Sequence, residues 1–168
     1  MPQKQVFTIG YEGMDLLSFL AELDTVGIKQ VIDVRELPLS RKRGFSKSAL
    51  ASALSECGIN YVHLRALGDP KPGREAARRG DQVGFQRIYR KHLASPAAQS
   101  ALSDAIRHAS SMRSCLLCFE RDFVGCHRAI VADAMAATSS IKVKHLQIVP
   151  RVRNAVRGID ERSAVQVW

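Results

Sequence analysis

The chain predicts an α/β domain of three layers, a mostly parallel five-stranded sheet with helices on both faces. Three observations carry this. Short apolar runs alternate with segments of helical period along the chain, the signature of strand–crossover–strand units. The runs are apolar almost throughout, as strands covered on both faces must be. Glycine, serine and proline punctuate the junctions where helices begin and end.

Val6-Phe7-Thr8-Ile9-Gly10 reads as the first strand, stopped by glycine. Asp15 is placed to cap a helix whose Leu16, Phe19, Leu20 and Leu23 share a face and whose stop is Gly27. Residues 30–35 form a second strand that turns polar at Asp33 and Arg35. Ser46 is expected to cap the next helix, with Leu50 and Leu54 inward and Gly58 after it. Tyr61-Val62-His63-Leu64 is the third strand. Residues 65–84 hold Gly, Pro and Arg with no apolar period, which predicts a long loop, with residues 69–84 a mobile lid. Phe85, Ile88, Tyr89 and His92 recur at helical spacing. Ser95-Pro96 starts a further helix, with Leu102, Ala105, Ile106 and Ala109 as its stripe. Residues 114–120 are the fourth strand, 129–137 a helix and 143–149 the fifth strand. Pro150 closes one domain over residues 1–150, and 151–168 form a basic tail. Right-handed crossovers and the long excursion after strand three suggest the order 3-2-1-4-5, a Rossmann-like arrangement.

The 168 residues carry 25 Lys and Arg against 16 Asp and Glu, a net charge of +9, with 46% apolar residues. That apolar share suits a globular core and not a disordered chain. The charge attracts polyanions, nucleic acid and phosphorylated ligands among them. No apolar run approaches the roughly 20 residues of a membrane helix. The N-terminus has no signal-peptide core, so the expected location is the cytoplasm and no membrane partner is expected. Four cysteines in such a chain are expected to be free thiols.

Polar residues gather where strands end, the edge at which open α/β sheets bind ligands. They are Tyr11, Asp33, Arg35, His63, Cys118 and Glu120, followed by Cys126-His127-Arg128 at a helix start. Strand alternation puts Cys118 and Glu120 on one face and Cys115 on the other. The helix start favours anions and lowers the pKa of a thiol. We therefore expect Glu120 and His127 as proton carriers and Cys126 as nucleophile or spectator. Arg35, Arg41, Arg128 and Ser40 are the expected phosphate contacts, and Tyr11, Asp33, His63 and Cys118 complete the pocket. Tyr11, Asp33, Arg35, Glu120 and His127 are expected in one cleft, with Arg35 paired to a carboxylate or an anion. Cys118, Glu120, Cys126 and His127 are ligand types that zinc accepts, but their spacing is no known knuckle, so no metal ligand and no cofactor is assigned. Basic residues concentrate at 40–47 and again at 65–91, where eight Lys and Arg face three acids, 8 − 3 = +5.

These segments together resemble the domain of unknown function 488 family. The resemblance rests on Thr8-Ile9-Gly10-Tyr11-Glu12-Gly13, Asp33-Val34-Arg35 with Pro38 and Ser40-Arg41, Gly44-Phe45-Ser46, and Tyr61-Val62-His63-Leu64 with Leu67-Gly68-Asp69-Pro70-Lys71. It also rests on Leu117-Cys118-Phe119-Glu120, Cys126-His127-Arg128 and His145-Leu146. It implies a bacterial or archaeal α/β domain whose signature residues share a pocket, and no established activity. Asp69 departs from the Asn common in that loop. The functional expectation is an anion- or phosphate-binding protein associated with nucleic acid or nucleotides, and an enzyme on a phosphorylated substrate if the acid–base pair meets. The alternatives are a noncatalytic nucleic-acid-binding module and a thiol- or metal-dependent sensor.

Overall fold

The computed structural model describes residues 3–147. The end of the expected fifth strand and the basic tail, residues 151–168, lie outside them. Among the described residues, five parallel strands form one sheet: β1 Gln5–Gly10, β2 Gln30–Asp33, β3 Asn60–His63, β4 Ser114–Cys118 and β5 Lys142–His145. Six helices among the same residues surround it: α1 Leu16–Val26, α2 Lys47–Glu56, α3 Lys71–Arg78, α4 Gln82–Leu93, α5 Pro96–Ser111 and α6 His127–Thr138. None of the described helices is long and apolar enough to cross a membrane.

Period-2 alternation splits the strands between two cores. Phe7 and Ile9 of β1 with Cys115 and Leu117 of β4 pack on Phe19 and Leu23 of α1 and on Leu50 and Leu54 of α2. Val6, Leu116 and Cys118 face the other way, onto Phe85 and Tyr89 of α4, Leu102 and Ala105 of α5, and Val131 and Met135 of α6. Three layers result. Asp15 and Ser95 cap as their sequence context predicts, accepting from the backbone N–H of Ser18 and Ala98. Ser46 precedes α2 without a side-chain cap, because its hydroxyl oxygen accepts from the Ser40 N–H instead, and the hydroxyl donates back to the Ser40 carbonyl.

Two expectations are corrected. The strand order is β3-β2-β4-β1-β5, so β4 lies between β1 and β2. The connection from β3 to β4 runs over α3, α4 and α5, long enough to pass β2 and enter the gap beside it. Residues 65–84 are not a loop: a 3-10 turn at Arg65–Leu67 leads into α3. Pro72 sits in the first turn, where a missing N–H costs nothing. The buried side of α3 is only Gly73 and Ala76, and Arg74 ties it down by pairing with Glu36.

Candidate functional site

The order β2-β4-β1 brings three strand C-termini side by side: Asp33 pairs with Leu117, and Gly10 with Cys118. Their side chains and the two following turns build one floor.

On the β2 side, Arg35 lies flat against Asp33. Its Nε donates to Oδ1 at 2.9 Å and its Nη2 to Oδ2 at 2.7 Å. Its Nη1 donates to the Phe45 carbonyl at 2.8 Å and the Tyr11 hydroxyl at 3.2 Å. Tyr61 donates to the same carboxylate at 2.6 Å. Both members of the pair are buried. Burial works against the guanidinium charge, but Asp33 outweighs it and holds Arg35 firmly protonated. The cation is therefore neutralised where it stands. Tyr11 stacks on Phe45 with ring centroids 4.4 Å apart. His63 packs behind this cluster, its Nε2 2.7 Å from the Arg35 carbonyl.

On the β4 side lie two free thiols. Cys126 is the N-cap of α6 and its Sγ accepts from the Arg128 N–H at 3.4 Å. Cys118, fully buried at the end of β4, brings its Sγ to 3.2 Å from that of Cys126. His127 Nε2 donates to the Val34 carbonyl at 2.9 Å, which leaves Nδ1 facing Cys126 Sγ at 3.8 Å. Glu120 Oε2 stands 3.5 Å from the same sulfur. Beneath them is Arg128, with no exposure. Its Nη1 donates to Cys118 Sγ at 3.0 Å and to the Glu120 carbonyl at 2.8 Å, and its Nε to Thr8 Oγ1 at 3.1 Å. Its Nη2 is buried without a partner among the described residues.

The titration pattern follows from these contacts. The hydrogen bond from Cys118 lowers Cys126; burial raises it, the His127 hydrogen bond and charge lower it, and the thiol settles at about 6. Burial pushes Cys118 well up, and the neighbouring Cys126 and Glu120 add to the rise. Burial alone would lower His127, but the hydrogen bond and charge of Cys126, then Glu120, raise it to about 9. Near neutral pH the site holds a Cys126 thiolate, a His127 imidazolium and a Cys118 thiol. Glu120 is held below the usual carboxylate range, burial being outweighed chiefly by His127.

Floor and rim enclose an open cleft of about 1320 Å³. Tyr11, Arg35, Ser40, Arg41, Glu120, Cys126 and His127 line it. Asp33, His63, Cys118 and Arg128 stand behind that surface as supports. Ser40 takes part through a turn in which its hydroxyl accepts from the Lys42 N–H at 3.1 Å. Arg41, Lys42 and Arg78 line the cleft and make no ion pair among the described residues. Leu39, Phe119 and Val124 add exposed apolar surface at its edge.

Sequence reasoning missed two groups. Asp69 lines the cleft with one carboxylate oxygen buried and unpartnered, and burial raises its pKa to about 6. A Cβ on Gly73 would lie 2.0 Å from that oxygen, so a glycine is what admits the carboxyl. The Gly68-Asp69-Pro70 context was the available signal, and it reads as an ordinary turn. The second group is Thr8 with His145, hydrogen-bonded at 2.7 Å. His145 stacks on Phe123 at 3.9 Å, which fastens the β4–α6 turn to β5.

Cys118, Glu120 and Cys126 offer ligand atoms within 4.8 Å of one another, a spacing a metal ion bridges. The Arg128 guanidinium 3.0 Å from Cys118 Sγ sets a permanent positive charge beside that position, which disfavours a second cation there.

No curated protein and no solved structure matches the chain. A family model described as "Domain of unknown function DUF488" matches residues 15–135, a span that contains β2, β3, β4 and the start of α6 and leaves Thr8 and His145 outside. The chain therefore belongs to the DUF488 family.

Proposed function

We propose that the protein is a thiol-dependent enzyme in which the Cys126 thiolate attacks an electrophilic centre of a negatively charged substrate. One observation carries this: Cys126 Sγ caps α6, faces His127 Nδ1 at 3.8 Å and opens into the cleft. A helix N-terminus and an imidazolium are the environment that makes a cysteine nucleophilic near neutral pH. Glu120 sets a carboxylate beside the sulfur and Asp69 another in the same cleft, so the charge of the substrate belongs on the rim, at Arg41, Lys42 and Arg78, and not at the reacting atom. The reading keeps Cys126 as nucleophile and makes His127 its imidazolium counter-ion in place of a proton carrier. It moves phosphate or other anionic contacts from Arg35 and Arg128, whose guanidinium groups are committed inward, to Arg41 and its neighbours. Reduced thiols of this kind suit a cytoplasmic setting.

Limiting iodoacetamide at pH 7 is expected to label Cys126 before the exposed Cys57, read by peptide mass spectrometry. Labelling of Cys57 first, with Cys126 untouched, removes the nucleophile. The noncatalytic nucleic-acid-binding reading draws on exposed Phe119 among these cations. Replacing Arg41 and Arg78 by Ala separates the two. A thiol enzyme keeps its iodoacetamide rate and loses roughly tenfold in affinity for an anionic substrate, about 1.4 kcal/mol. A nucleic-acid module shows instead a flatter log–log dependence of affinity on salt, by about 0.9 per duplex phosphate contact removed.

A further inference from the structure

Nucleophilic attack by Cys126 needs no second thiol, yet Cys118 is packed against it at 3.2 Å between sulfurs. Closing that gap by about 1.2 Å reaches the roughly 2.05 Å of a disulfide. The two cysteines stand on separate elements, one ending β4 and one beginning α6. The turn between them ends in Gly125, whose φ of 79° belongs to a residue free of the usual backbone limits. The pair is also unequal. Cys126 lines the cleft, whereas Cys118 has no exposure, so a molecule in the cleft meets Cys126 alone.

Resting on the reading of Cys126 as nucleophile, we propose that the reaction class is thiol–disulfide exchange on an anionic disulfide, with Cys118 as the resolving thiol. In the first step the Cys126 thiolate attacks one sulfur of the substrate R–S–S–R. A Cys126–S–S–R bond forms, the substrate S–S bond breaks, and one RS⁻ leaves. In the second step Cys118 gives its proton to the departing thiolate, while Arg128 Nη1 at 3.0 Å stabilises the sulfur as it becomes nucleophilic. Cys118 Sγ attacks Cys126 Sγ, the Cys118–Cys126 disulfide forms, and the second leaving group departs as RSH. The substrate gains two electrons, becoming two thiols after protonation, and the protein loses two. A dithiol partner reverses the sequence and resets the site. Arg41, Lys42 and Arg78 on the rim match the negative charge of such a substrate, and exposed Leu39 and Phe119 its carbon skeleton.

The dianionic aromatic disulfide 5,5′-dithiobis(2-nitrobenzoate) tests this in a Cys57→Ser background, which removes the exposed competing thiol. Cys115, buried in the opposite core, stays unlabelled while the fold is intact. The parent is expected to release two thionitrobenzoate ions per chain and to end as an internal disulfide with no retained adduct. Cys118→Ser, or Cys118→Ala where the serine variant labels Cys115, is expected to release one ion and keep a mixed disulfide on Cys126. A parent that releases one ion and keeps the adduct overturns the resolving role while leaving Cys126 a nucleophile. A Cys126→Ser chain that releases ions as fast as the parent overturns the nucleophile as well.

Discussion

Gly10→Ala is expected to destabilise the protein by about 3 kcal/mol or more and to abolish the enhanced reactivity of Cys126. A Cβ at Gly10 would lie 1.6 Å from the Glu120 carbonyl oxygen and 2.6 Å from Arg128 Nη1. The first of these is backbone, not the far end of a flexible side chain. The same carbonyl accepts from Arg128 Nη1 at 2.8 Å, so chain and guanidinium must move together. Overpacking in a core costs typically 1–3 kcal/mol where side chains can give way; here β1 must separate from β4 or the turn after β4 must leave. Either displacement carries Glu120, Arg128 and hence the Cys118–Cys126 contact with it. Gly58→Ala is the control. It also substitutes a glycine, at φ 70°, but nothing lies within 4 Å of the added methyl, so its cost is the backbone term of about 1 kcal/mol. Urea denaturation at matched m-values compares them. A Gly10 variant no less stable than the Gly58 variant would show that the close approach of β1 to Glu120 is not required.

Much of this architecture is legible in the sequence because it rests on periodicity. Phe7 and Ile9 against Val6 and Thr8 reveal a strand covered on both faces, and Asp15 and Ser95 announce the helices they cap. The place of β4 is not legible. Strand periodicity reports which face a residue takes and says nothing about which strand lies alongside, and a crossover with three helices reaches either position. Helix α3 is hidden for a different reason. Its buried side is Gly73 and Ala76, too small to write an apolar stripe, so its Lys, Arg and Glu read as a loop. At the site, residue type and strand-end position bring Tyr11, Arg35, Glu120, Cys126 and His127 to one cleft. What a sequence does not state is which cation spends its charge inward. Arg35 is expected to pair with a carboxylate or an anion and lies on Asp33, which spends its charge, whereas Arg41 faces solvent. The approach of Thr8 and His145, 137 residues apart, and the unpartnered oxygen of Asp69 exist only once the chain is folded.

The charge state of the thiol site provides the second large effect, seen as pH profiles that cross. Cys126 is depressed to about 6 and His127 raised to about 9. The depressed thiol contributes stability that is present above its unfolded pKa and is lost as pH falls through about 6. The raised imidazole contributes stability that is present below its unfolded pKa and is lost as pH rises through about 9. Thiolate and imidazolium therefore coexist between about pH 6 and 9. His127→Gln places an amide N–H where Nε2 donates to Val34 and removes the cation from Cys126, so the thiol is expected to rise from about 6 towards its ordinary value of 9.0, short of it by what the remaining Cys118 hydrogen bond contributes. At pH 6 a full return would leave about 500-fold less thiolate, the upper bound of the effect. A more basic thiolate is also a better nucleophile, by about 15–30-fold over three pKa units at a Brønsted coefficient near 0.4–0.5. The variant should thus alkylate with iodoacetamide more slowly than the parent at pH 6, by up to about 15–30-fold, and faster by up to a similar factor above pH 10, the profiles crossing at or below about pH 8. If the variant's profile keeps its inflection near 6, His127 is not the counter-ion of Cys126. Depression of the thiol then rests on Cys118 and the α6 N-terminus, and Cys118→Ala, not His127→Gln, would be the substitution that moves it.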